Sequence, residues 1–101
     1  MPHLRRIVRM TFRPDAVEAF VHLFETAAPH IRAFPGCHHL ELWRDAEDAT
    51  VFTTFSHWTD ADALNAYRHS DLFRTTWAKT KPLFAAKPET WSYLPSDPTS
   101  A

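Results

Sequence analysis

Two residue types are nearly missing from this chain of 101 residues, which has one glycine and one cysteine. With so little glycine the chain can hardly build a phosphate-cradling loop, and no G-x-S-x-G elbow presents a serine nucleophile. The lone Cys37 excludes an internal disulfide and a cysteine zinc cluster, and it fits a cytosolic setting best. Strong charge of one sign is lacking too. Eleven Lys and Arg against twelve Asp and Glu leave a formal net charge of −1, which gives no electrostatic reason to expect nucleic acid or an anionic membrane as partner. Long apolar runs are absent at the start, where MPHLRRIVRMTF is broken by Arg5, Arg6 and Arg9. Neither a signal peptide nor a membrane span is expected there.

What the chain does hold is aromatic bulk. Eight Phe, four Trp and two Tyr sit in a length that makes one domain. A chain this short buries only about two-thirds of the surface it exposes when unfolded. Some of the aromatic area therefore calls for cover from a second subunit.

The elements follow from periodicity and punctuation. LRRIVRMTF (4–12) reads as a strand whose more apolar face, Leu4, Arg6, Val8, Met10 and Phe12, is expected to meet the core. Pro14 suits a first helical turn, and Val17, Phe20, Phe24, Ala27 and Ile31 recur at helical steps, with Pro29 expected to end or kink that helix. FPG (34–36) is a turn, CHHLELW (37–43) a second strand, RDAEDA (44–49) a hairpin loop and TVFTTFSHW (50–58) a third strand. Thr59 and Asp62 have the form of a capping box ahead of Ala63, Leu64 and Tyr67, while Ser70 before Asp71 looks like a second N-cap that restarts a helix carrying Phe73, Trp77 and Phe84. ETWSYL (89–94) is the last strand, and PSDPTSA (95–101) a polar tail expected to be disordered. The order β-α-β-β-α-β predicts an α+β, ferredoxin-like domain over residues 1–94, with helices on one face of a four-stranded antiparallel sheet. Its other face, carrying Ile7, Trp43 and third-strand aromatics, is expected to be covered in a homodimer.

Several constellations hold residue types that can do chemistry. Strand alternation sends His38 and His39 to opposite faces, so they cannot share one metal ion. Cys37, His39 and Glu41 share a face by the same count, with His57 near them, but no established ligand spacing is present and no metal site is expected. Cys37 reads as a small hydrophobe rather than a thiolate nucleophile. TVFTTFSHW has Phe52 and Phe55 yet lacks the basic residue and glycines of an RNA-stacking strand. Arg5 and Arg9 share a face that Glu41 could oppose, which reads as a polar ladder at the dimer face more readily than as an anion site. In AYRHSDLFRTTW (66–77), Phe73 and Trp77 form a helical core face, Arg68 and Arg74 are expected in solvent, and Tyr67 sits where two short helices meet and can reach a cavity.

FPGCHHLEL, FSHWTDADALNAYRHSDLF and KPETWSYL together resemble the antibiotic biosynthesis monooxygenase family of dimeric α/β barrels, in order and spacing over residues 4–94. The shared motifs are PG after the first helix, W-x-D/S-x-x-A-L before the second, and S-D-x-F after it. The resemblance implies a homodimer with sheets packed back to back and a cavity between sheet and helices in each subunit. Some members oxidise quinols or polyketide aromatics without metal or flavin, and others degrade heme. The heme branch implies an Asn, a Trp and an iron-ligating His at the positions held here by Val8, Tyr67 and Trp77. All three differ, and the iron ligand is lost.

The leading expectation is a cofactor-independent monooxygenase acting on a small aromatic or quinol. Val8, Met10, Leu40 and Trp77 would shape the slot with Tyr67, whose hydroxyl would donate to a substrate oxygen. With an ordinary pKa near 10, tyrosine is a poor base at neutral pH. His39 or His57 would be the base if either faces inward. The rival expectation is a non-catalytic dimeric module that binds a small apolar ligand or only assembles.

Overall fold

The computed structural model describes residues 3–97. Four strands, β1 (Leu4–Thr11), β2 (Cys37–Arg44), β3 (Val51–Trp58) and β4 (Glu89–Tyr93), form one sheet in the order β2-β3-β1-β4. Every neighbouring pair is antiparallel. Helices α1 (Val17–Arg32), α2 (Ala61–Arg68) and α3 (Asp71–Thr80) complete the expected β-α-β-β-α-β plan, the second helical segment being split in two. The fold is ferredoxin-like α+β. No helix among the described residues is long and apolar enough to cross a membrane.

The alternation of β1 decides which face becomes the core. Leu4, Met10 and Phe12 are buried, and they meet Trp58 and Phe52 of β3 on the same side. Against that side α1 lays Val17, Phe20, Ala27, Ala28 and Ile31, while α2 adds Leu64 beside Trp58 and Leu4. Phe12 stacks on Phe20 with centroids 4.0 Å apart, so strand and helix are joined through rings. Fully burying one such side chain is worth roughly 1.5–3 kcal/mol.

Three local expectations are corrected. Helix α1 runs through Pro29 to Arg32, because the proline lies in the last turn and its carbonyl still accepts from Ala33 N at 3.1 Å. One lost donor there is too little to stop a helix held by its apolar face. The cap of α2 is Asp60, not Thr59; its carboxylate accepts from Ala63 N at 2.8 Å. In β2 a register irregularity between Cys37 and His39 breaks the alternation. Cys37 pairs with Trp58 and packs toward the core, whereas His39 pairs with His57 on the other face, so Cys37 does not share a face with His39 and Glu41.

The only glycine sits where its backbone requires it. Gly36 has φ of 89°, and a Cβ built there would lie 2.6 Å from Ala63 Cβ. This contact seats the turn before β2 on the start of α2. At the chain's end, residues 94–97 form no regular element, and the rest of the expected tail lies outside the described residues.

Candidate functional site

A cavity of about 260 Å³ opens between the sheet and the helices. Its floor is the helix-facing side of the sheet, including Val8 and Met10 from β1 and Leu40 from β2. Its roof includes Phe24 from α1, Tyr67 from α2, and Phe73 and Trp77 from α3. Val8, Met10, Leu40, Tyr67 and Trp77, the five residues the sequence expectation placed around a slot, are brought together here.

The α2–α3 junction aims the aromatic wall. Ser70 caps α3 by accepting from Phe73 N at 3.1 Å, and its hydroxyl donates back to Tyr67 O at 2.6 Å. One side chain therefore ends one helix and starts the next. Tyr67 stacks on buried Trp58 at 4.8 Å and meets Phe34 and Phe73 edge-on, and Phe73 in turn stacks on Trp77 at 5.7 Å. Phe73 and Trp77, expected as a core face, are only half-buried because the cavity lies against them. Burial pushes the Tyr67 phenol up to about 12. The hydroxyl thus stays protonated at physiological pH, a hydrogen-bond donor and not a base.

The two candidate base histidines lie elsewhere. His39 and His57 face each other across β2 and β3 on the sheet's open side, with ring centroids 5.1 Å apart. Neither lines the cavity, so neither can take a proton from a ligand held in it. His39 Nε2 instead hydrogen-bonds Glu41 Oε2, and Glu41 Oε1 accepts from Trp43 Nε1 at 3.1 Å. The Glu41 carboxyl is held below its ordinary range first by the His39 bond and then by Trp43. Glu41 stands opposite Phe55, with β3 between it and β1, so the expected ladder with Arg5 and Arg9 does not form through it. His57 Nε2 is buried without a hydrogen-bond partner among the described residues, and burial, then Arg5, pulls its pKa below the ordinary value.

The open side is aromatic. Trp43 stacks on Phe55 at 4.8 Å, and Trp43, Trp91 and Tyr93 remain 44, 40 and 53 % exposed. Cys37 is half-buried and its thiol pKa is raised by burial, the opposite of an activated nucleophile. Among the described residues no group of three or more His, Cys, Asp or Glu side chains is placed to hold a metal ion.

A family model described as antibiotic biosynthesis monooxygenase matches residues 4–79. The chain belongs to that family. Solved structures share its fold at low identity. A conserved protein from Methanosarcina mazei Go1 is similar over 92 % of both chains at 19 % identity, with a TM-score of 0.88. Rv0793 from Mycobacterium tuberculosis is similar over 94 % of this chain and 96 % of its own, at 24 % identity and a TM-score of 0.87. A crystal structure described as antibiotic biosynthesis monooxygenase is similar over 94 % of this chain and 99 % of its own, at 19 % identity and a TM-score of 0.86. No curated protein matches the sequence.

The heme chemistry of one branch of the family does not fit this cavity. Trp77 offers an indole N–H and no lone pair for iron, and no histidine lines the space. His69 is turned away, its Nδ1 bonded to Asn65 O at 2.8 Å. The lining also includes Arg6, expected on the core face of β1 but given no part in the slot, and Arg68, expected only in solvent. The signal for Arg6 was its place between Leu4 and Val8 on the core face of β1, and for Arg68 its place four residues after Leu64 on α2.

Proposed function

We propose that this family member is a cofactor-independent monooxygenase acting on a flat aromatic or quinol substrate in the cavity between sheet and helices. The observation that carries the reading is Tyr67, whose phenol is aromatic-packed, fixed as a donor and set in a slot lined mostly by apolar side chains. The substrate's own anion would reduce O₂. For a methylene flanked by aromatic rings, one oxygen atom enters the carbon as a carbonyl and the other leaves as water with the two hydrogens lost. Val8, Met10, Leu40 and Trp77 would fix the plane of the ring, and Tyr67 would donate to a substrate oxygen. We also propose that the working unit is a cytosolic homodimer joined through the open sheet face, which its exposed aromatics favour.

The test is a turnover screen of hydroquinones and anthrones under O₂, with oxygen uptake and product followed together. Stoichiometric uptake and product are expected, with kcat falling at least about tenfold in Tyr67→Phe. A second reading, a non-catalytic ligand-binding module, is favoured by one fact: no His, Asp or Glu lines the cavity to act as base. Binding of these aromatics with no oxygen uptake would establish that reading instead.

A further inference from the structure

The cavity is apolar in most of its lining but holds two cations. Arg6 points to the helix side of β1, and its guanidinium donates to Ser92 Oγ on β4 at 3.0 Å. Arg68 ends α2. Both line the cavity, and both also line a shallower shelf beside it with Asn65 and Ser92. Neither makes an ion pair among the described residues, and Asp62, the one acid on that shelf, makes none with them. Burial first and then the charge of Arg68 lower the Arg6 pKa, the sign of two like charges brought close at a partly dry site. Such a pair is unfavourable until an anion stands between its members. The same cavity has no side chain able to remove a proton near neutral pH, since its one titratable acid is Tyr67, held protonated.

We infer that Arg6 and Arg68 form an oxyanion subsite that binds an aromatic ligand as its phenolate or enolate. The ligand's hydroxyl proton passes to water, and the two guanidiniums stabilise the oxygen left behind, so deprotonation needs no protein base. The inference rests on the aromatic-slot reading and names the ionisation state in which the slot takes its ligand. It gives the two arginines a positioning and charge-stabilising role at the atom from which oxidation starts.

The probes are 4-nitrophenol, whose colour reports ionisation, and 4-nitroanisole, which has no proton to lose. Spectrophotometric pH titration of protein-bound 4-nitrophenol is expected to show a pKa at least about one unit below that of the free phenol, so the phenolate binds at least about tenfold tighter than the phenol. Arg68→Gln, at an exposed helix end, and Arg6→Gln should each remove most of that preference while leaving 4-nitroanisole affinity within about twofold. A bound pKa equal to or above the free value, or a shift that survives in the double variant, would overturn the inference. If 4-nitroanisole binds and the phenol's pKa is unshifted, the aromatic slot stands and only the oxyanion subsite falls. If neither probe binds, the slot reading fails and the subsite fails with it.

Discussion

Tyr67→Phe removes one oxygen atom, and its effect depends on what that oxygen touches. The hydroxyl makes no hydrogen bond to another described residue, and the ring lines the cavity. Stability should therefore change by about 0.5 kcal/mol or less, whereas a core hydroxyl with a partner would cost about 1 kcal/mol or more. Urea unfolding of the two proteins decides between these. Trp77 carries the second residue-scale prediction: hemin should give no histidine-ligated Soret spectrum, because indole cannot ligate iron and the histidines face other surroundings. A sharp ligated band lost in a single His→Ala variant would refute it. Gly36→Ala should cost more than about 1 kcal/mol, since alanine is strained at positive φ and its methyl collides with Ala63. Thermal unfolding reads that loss directly.

At the scale of elements, the α2–α3 junction turns on one hydroxyl that both accepts and donates. Ser70→Ala should cost about 1 kcal/mol through the lost cap and loosen the Tyr67–Phe73 contact that walls the cavity. Ser70→Asp keeps an acceptor for Phe73 N but cannot donate to Tyr67 O, so chemical denaturation should show the cap's share restored and the donor's share still missing. This junction was legible in sequence because Ser before Asp has a local mechanism, and so was β1, because alternation of Leu4, Val8 and Met10 needs no knowledge of neighbours. Three things were not legible. The irregularity in β2 depends on how Cys37 and His39 each find partners on β3, which no count along one strand contains. The facing of His39 and His57 depends on which side of β2 and β3 meets the helices, and with it went the expected base. Pro29 was read by its local cost, while tertiary packing of Ala27, Ala28 and Ile31 outweighs that cost.

At the scale of the whole molecule, the open side of the sheet exposes Trp43, Trp91 and Tyr93, and the proposed dimer would cover them. Light scattering at micromolar concentration should give twice the 11.7 kDa of one chain, and Trp43→Glu, exposed on the edge strand β2 of that side, should halve the mass. An 11.7 kDa wild-type species would sink the assembly. The fold should also weaken with acid. His57 is surrounded by Arg5, His39 and His3, with Glu41 alone opposing, and its pKa lies below the ordinary 6.5 chiefly through burial. A histidine whose folded pKa is lowered keeps its full contribution above the ordinary value and loses it as pH falls below. The urea midpoint measured between about pH 7.5 and 5.5 should therefore fall toward the acid end. The sheet also divides the four indoles evenly: Trp58 and Trp77 border the cavity, while Trp43 and Trp91 stand on the open side. The molecule thus carries two optical channels of its own. Quenching of the inner pair signals a ligand arriving, a blue shift of the outer pair signals two chains meeting, and single-tryptophan variants let one emission spectrum follow each event without a label.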